Sequence, residues 1–280
     1  MRVSRSVRVW AGVVASLAVA VYLGSVVYLK INEDDLVFLT AMSRQNVRPF
    51  DTAVFSQATL RTSGGLRLHT VEFPPPAGRA DPYWVLFYHG NGSSIQTPDV
   101  QEKLLKLRDL GYGVFAFDYR GFGASEGEPS ESGLYEDGMS AYRHLVDEHH
   151  VPENRLLLFG LSLGSGVAVE VATRVKAAGL ILDGAFTSIP DAGQWHYPLM
   201  PVRLIARNQF RSIDKIDRVT MPILFIHSVG DTFVPYEQGR ALFDKAREPK
   251  FWLEVADGHI NAGFTDVKGL GIAMAQLLSR

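Results

Sequence analysis

The 280-residue chain contains no cysteine, which excludes disulfide bonds, thiolate catalysis and cysteine-ligated zinc or iron–sulfur sites. A cysteine-free composition fits an exported protein. The chain also lacks any long basic run and carries a formal net charge of only −2, so it has no electrostatic footprint for nucleic acid. Neither a G-x-G-x-x-G fingerprint nor a P-loop is present, and its glycine-rich turns therefore do not read as nucleotide sites. There is no internal repeat or low-complexity tract; the Pro-rich run "FPPPAGRADP" at 73–82 reads as a loop. What remains is 46% hydrophobic, enough for one large domain, or one domain plus an anchor. No cofactor or metal is expected.

The N-terminus supplies the localisation signal. Arg2, Arg5 and Arg8 precede Val9 to Leu29, a stretch without a charged residue. At about 1.5 Å per residue it matches a hydrocarbon thickness of ~30 Å, so residues 9–29 read as one membrane span. Trp10 and Tyr28 suit the interfaces, whereas Tyr22 sits too deep for that role. A cleaved signal peptide is the rival, since "AVA" at Ala18 to Ala20 resembles a small-residue cleavage site, but the apolar run continues to Leu29. The leading arginines favour a cytoplasmic N-terminus, weakly opposed by Lys30, Arg44 and Arg48 at the other end. The expected organisation is therefore a cytoplasmic tail and anchor over 1–30, a juxtamembrane connector over 31–53, and a catalytic domain over 54–280 that lies outside the cytoplasm, in the periplasm if the source is bacterial.

Beyond the connector, apolar runs alternate with helical patterns. The first two, "AVFSQATL" and "LRLHTVEF", alternate in polarity around Gly64-Gly65 and predict an antiparallel hairpin. Six more, from "YWVLFYH" to "KFWLEVA", are short and continuously apolar and are separated by helical stretches. That pattern predicts βαβ crossovers and an α/β fold: an eight-stranded, mostly parallel sheet with helices on both faces.

Two stretches fit G-x-S-x-G. In "LLLFGLSLGSGVAVEVA" (156–172), Ser162 lies between an apolar strand and a small-residue helix, the context of a nucleophile elbow, where glycines relieve strained backbone and close packing. In "GASEG" (123–127), Ser125 lies in a polar loop and reads as a turn serine. A serine hydroxyl needs an imidazole to take its proton and a carboxylate to orient that imidazole. With an elbow of this kind the order along the chain is Ser, Asp or Glu, then His. His259, in "VADGHINAGF" after the last strand, is the candidate base. The candidate acids are Asp231 in "HSVGDTFVP" and Asp183 in "LILDGAF"; Asp231 is preferred because its loop lies one strand before that of His259. Asp257 is too close to His259 in sequence to orient it comfortably, and His227 reads as structural or pocket-lining. For the oxyanion, the backbone N–H groups of Leu163 and of Asn91 in "HGNGSS" are the candidates. His89 reads as a loop organiser.

These pieces, "HGNG", "DYRGFGASEG", "GLSLGSG", "LILDGAFTS", "HSVGDTFVP" and "DGHINAGF", together resemble the α/β-hydrolase superfamily, in its serine aminopeptidase and lysophospholipase-like group, over about Val54 to Arg280. The resemblance implies the same triad of Ser162, Asp231 and His259 and assigns "DYRGFGASEG" to a loop beside the sheet. "GHIN" departs from it where a polar residue often follows the histidine. The segment 187–212 is too long for a simple crossover and reads as a short cap. Its Trp195, His196 and Tyr197 are candidate substrate-binding residues for an acyl wall, and Arg203, Arg207 and Arg211 would meet an anionic head group. Alternatively the apolar residues only dock the cap and the arginines are solvated. The expected function is a membrane-anchored serine hydrolase acting on a small-molecule or lipid ester or thioester, with the bilayer as a second partner. The alternatives are an aminopeptidase and a catalytically silent binding protein on the same fold.

Overall fold

A computed structural model describes residues 5–76, 81–256, 258–259 and 263–279. Among the described residues the strands are β1 (Ser56–Arg61), β2 (Arg67–Phe73), β3 (Trp84–Tyr88), β4 (Gly113–Phe117), β5 (Leu156–Leu161), β6 (Gly179–Asp183), β7 (Ile223–Ser228) and β8 (Lys250–Val255). They form one sheet in the order β1-β2-β4-β3-β5-β6-β7-β8. β1 and β2 make the expected hairpin, which places Leu60 opposite Leu68. β2 joins β4 antiparallel, and the pairs from β4 through β8 are parallel.

The helices are α1 (Arg5–Ile31), α2 (Glu33–Val37), α3 (Thr40–Ser43), α4 (Pro98–Asp109), α5 (Glu131–Arg143), α6 (Leu163–Ala172), α7 (Ile189–His196), α8 (Val202–Ile205), α9 (Tyr236–Lys245) and α10 (Val267–Leu278). The period of two along a strand sends alternate side chains to opposite faces. On β3, Leu86 and Tyr88 enter the core under α5 and α6, while Val85 and Phe87 enter the core under α4 and α10. Both faces are covered, which is why the central strands read as unbroken apolar runs.

The first helix differs from the rest. Over Arg8–Ile31 it is long and apolar enough to cross a membrane, and none of its most apolar stretch is buried in the protein. Arg2 lies outside the described residues.

The acidic segment that follows it is folded onto the domain. Glu33 of α2 is buried, and its Oε1 accepts from the backbone N–H groups of Arg207 and Asn208, both at 2.7 Å. Phe38 is 2% exposed and meets Phe210 edge-on at 6.2 Å. Arg44 donates to the Gly121 carbonyl at 2.8 Å, and Arg48 Nε donates to Gln101 Oε1 at 3.0 Å. The arginines at that end of the apolar helix are thus held against the globular part.

The segment 187–212 follows β6 and contains α7 and α8, and Ile189, Ala192 and His196 of α7 line the cavity that holds Ser162. Ser188 caps α7 by accepting from the Asp191 N–H. At the C-terminal end of the segment, Glu131 at the start of α5 accepts from the N–H groups of Gln209 (2.6 Å) and Phe210 (2.9 Å). Two buried or half-buried carboxylates, Glu33 and Glu131, therefore satisfy the backbone donors where the cap returns to the sheet.

If Phe38 contributes to the core as its burial indicates, Phe38→Ala lowers the stability of the full chain in detergent by about 3–5 kcal/mol, the range for emptying a buried aromatic site. Urea unfolding measures this. A change within about 0.5 kcal/mol, typical of an undocked surface position, would show that the segment only connects.

Candidate active site

The turn after β5 fixes the geometry. Ser162 has φ +51 and ψ −117, a conformation rarely adopted by a residue with a side chain. It is held because α6 packs directly on the sheet. A Cβ on Gly164 would lie 2.1 Å from the Tyr88 carbonyl oxygen, and one on Gly160 would lie 2.6 Å from the Gly164 carbonyl oxygen. Both glycines of the motif therefore serve close approach. Every residue of α6 is buried.

His259 stands over the serine. Its Nε2 lies 2.8 Å from Ser162 Oγ and its Nδ1 lies 2.6 Å from Asp231 Oδ2. An ionised carboxylate only accepts, so Nδ1–H donates to Asp231 and the Nε2 lone pair faces the hydroxyl. Asp231 Oδ1 accepts from the N–H groups of Phe233 and Val234, each at 2.8 Å. Burial pushes this carboxyl up, but the hydrogen bond and charge of His259, with the two loop N–H groups, outweigh it and hold its pKa below the usual carboxylate range. Gly184 permits the arrangement. It has φ +59, and a Cβ there would lie 2.9 Å from the imidazole Cε1.

The other candidates fall elsewhere. Asp183 ends β6 fully buried, and its two oxygens have no hydrogen-bond partner among the described residues. Burial pushes its pKa well above the usual value, which favours its neutral form beside Asp231, whose pKa is lowered. His227 is buried, and burial lowers its pKa. Its Nε2 lies 3.1 Å from the Val234 carbonyl, so the neutral ring donates there and steadies the Asp231 loop. Ser125 donates to the Asp118 carbonyl (2.7 Å) and accepts from the His69 N–H (2.9 Å), the bonds of a turn serine. His89 is buried, with Nδ1 2.8 Å from the Gly90 carbonyl. Asp257, and Ile260 and Asn261 of "GHIN", lie outside the described residues.

Leu163 is the first residue of α6, where a backbone N–H has no intrahelical acceptor. Leu163 and Asn91 both line a cavity of about 590 Å³ that also holds Ser162 and His259. The Asn91 side chain is committed to holding its own loop: Oδ1 accepts from the Leu39 N–H at 2.9 Å and from the Gly92 N–H at 3.1 Å.

The cap residues divide. His196 lines the cavity and its Nε2 donates to the Phe233 carbonyl at 2.9 Å. Tyr197 lines an adjoining cavity. Trp195 is half exposed, edge-on to His196, and outside both walls. None of the three cap arginines is solvated alone: Arg203 pairs with Asp191, Arg207 with Glu33 and Asp34, and Arg211 with Asp214. Residues that sequence reasoning did not select, Val37, Leu39, Met42, Ile189 and Phe233, complete the cavity wall. The apolar run "LVFLTAM" inside an otherwise polar connector was the available signal for the first three.

The family described as serine aminopeptidase, S33, matches residues 83–213. An uncharacterized protein of Mycobacterium tuberculosis is 34% identical over 221 residues, covering 79% of this chain and 78% of that protein. Lysophosphatidylserine lipase ABHD12 of Danio rerio is 34% identical over 185 residues, 59% of this chain and 48% of the relative. In structure, the esterase Pf2001 of Pyrococcus furiosus superposes with a TM-score of 0.69 at 17% identity, covering 84% of this chain and 96% of that one. The chain belongs to the α/β-hydrolase superfamily.

The buried acid yields a signed pH effect. In the unfolded chain Asp183 ionises near pH 3.9, as a free aspartate does; in the fold it stays protonated to higher pH. In the window between, the folded state binds the extra proton, so wild-type stability falls as pH rises. Asp183→Asn removes that dependence, and its Tm difference from wild type becomes more positive from about pH 4 to about pH 7. Calorimetry at both values tests this, and a pH-independent difference would mean that the folded carboxyl is ionised.

Proposed function

We propose that the protein is a membrane-anchored serine hydrolase that cleaves carboxylic esters or thioesters of acyl chains through an acyl-enzyme. The observation that carries the reading is the unbroken line of hydrogen bonds from Asp231 through His259 to Ser162, opening on a largely apolar cavity. In this reading Ser162 Oγ attacks the substrate carbonyl carbon as its proton passes to His259 Nε2. Asp231, ionised across the neutral range, stabilises the imidazolium and keeps Nδ1 protonated. The N–H groups of Leu163 and Asn91 take up the oxyanion. His259 then returns the proton to the leaving alcohol or thiol, and a water activated by the same imidazole hydrolyses the acyl-serine.

Residues 1–30 serve as tail and anchor and residues 54–280 as the hydrolase domain, with its cap at 187–212 and the active site outside the cytoplasm. The apolar face of α1 and the activity named for the Danio rerio relative, a lipase for lysophosphatidylserine, support a lipid-like substrate. An aminopeptidase would need a carboxylate free to bind the substrate amine. Of the carboxylates among the described residues at the cavity walls, Asp99 faces Lys103 and Glu33 is engaged by Arg207 and Asn208.

Labelling with a fluorophosphonate probe in detergent tests the assignment. Wild type and Ser125→Ala are expected to label, Ser162→Ala is not, and Asp231→Asn is expected to react roughly 10³-fold more slowly or worse. A folded wild type that resists the probe, or a Ser162→Ala protein that still accepts it, overturns the reading in favour of a silent scaffold or a different nucleophile.

A further inference from the structure

The catalytic cavity is the first of three that share walls. It adjoins a second cavity of about 330 Å³ through Val37, Leu39, Ile189, Ala192, His196 and Phe233. The second adjoins a third, of about 500 Å³, through Leu29, Leu36 and Tyr197. The third lies between the flank of α1, at Val21, Gly24, Ser25 and Tyr28, and the cap at Tyr197 and Met200. The series thus begins at Ser162 and ends on the surface of the apolar helix.

We propose that this series is a channel for a single long acyl chain, entered sideways from the bilayer along α1, and that the segment Leu29–Leu39 is a wall of the substrate site as well as a tether. The proposal rests on the serine-hydrolase reading for what happens at Ser162, and on the cavities themselves for where the chain lies.

Three observations support a chain over other occupants. The second cavity is lined mostly by apolar groups, and the one acid among its described wall residues, Glu33, accepts from the N–H groups of Arg207 and Asn208. Among the described residues no lysine or arginine lines the three cavities, and the cap arginines are each paired elsewhere, so the inner walls offer no cation to a head group. The polar residues Gln45, Asn46, Ser93 and Asp99 gather at the catalytic cavity, where a head group would remain.

Depth supports the bilayer as the source. From Val21 to Leu29 a helix rises about 12 Å. If the span ends near Leu29, the third cavity opens within the hydrocarbon half nearer the catalytic domain. The neighbouring cap residues Leu199 and Leu204 are 81% and 87% exposed, apolar surface that water does not favour and lipid does.

The test uses the full chain in phosphatidylcholine vesicles. Leu36→Trp fills the junction of the second and third cavities at a position already 39% exposed. Its ratio of kcat/KM for a palmitoyl over a butyryl 4-methylumbelliferyl ester is expected to fall roughly tenfold or more, since a pocket discriminates by the methylenes it accepts. Ile272→Trp, on α10 and exposed, leaves that ratio unchanged. An unchanged ratio in Leu36→Trp overturns the channel. A palmitoyl monoacylglycerol with a mid-chain diazirine gives a second readout that needs no turnover. Photo-cross-links to residues 21–39 in wild type, lost in Leu36→Trp, support the channel even if the fluorophosphonate probe shows Ser162 to be silent. Cross-links confined to other segments overturn it even if Ser162 is the nucleophile.

Discussion

The approach of α6 to the sheet is the contact on which the rest of the site depends. Ser162 occupies a backbone conformation that costs on the order of 1–3 kcal/mol, and the complete burial of α6 against β5 and its neighbours, with the Ser162 N–H donating to the Asp183 carbonyl at 2.8 Å, holds it there. That burial in turn requires no side chain at Gly160 and Gly164, because the Tyr88 carbonyl and the helix backbone occupy the space. One local strain thereby sets three things together: the direction of the serine hydroxyl, the free N–H at the start of α6, and the position of Gly90, where a Cβ would lie 3.4 Å from that of Ser162.

Electrostatic division of labour follows from where β6 and β7 end. Asp183 and Asp231 both leave the carboxyl edge of the sheet, yet they sit in opposite environments. Among the described residues Asp183 has burial without a hydrogen-bond donor, which raises its pKa, while Asp231 has burial with two loop N–H groups and an imidazole, which lower its pKa. Two ionised carboxylates side by side in this interior would repel at low effective dielectric. The opposite shifts favour a single anion, Asp231, beside His259, and His227, whose pKa burial lowers, adds a hydrogen bond to the same loop.

What the chain reveals before folding is what short spacing encodes. The eight strands and the hairpin at Gly64-Gly65 are local patterns of period, glycine and flanking helix, and the structure carries both; the same kind of local pattern separates Ser162, before a small-residue helix, from Ser125 in a polar loop. The acidic start of the connector did not disclose its role. Glu33 finds its donors 174 and 175 positions later, and Leu39 meets Asn91 across 52 positions. No periodicity records such a pairing. The cap arginines illustrate the same limit: basic residues on a loop look alike in sequence whether they face solvent, a head group or a carboxylate brought in by another element. That His196 and Tyr197 line cavities while Trp195, also a candidate substrate-binding residue, does not depends on the rotation of α7 and the turn that ends it, which aromatic content alone does not specify.

The consequence of those distant pairings is mechanical. The N–H groups of Arg207 and Asn208 are backbone donors at the foot of the cap, and a buried acceptor is costly to separate from them. Glu33 sits two residues beyond the end of α1. Glu33 thus joins the segment that follows α1 to the foot of the cap, with Asp34 adding bonds to Arg207 and Asn208, while Leu39, six residues further on, ties the same segment to the loop that carries Asn91. A flexible tether would leave cap, helix and candidate oxyanion loop free to move independently. Here the three are joined within Glu33 to Leu39. The acidic residues after the apolar helix are thus part of the architecture that aims the site.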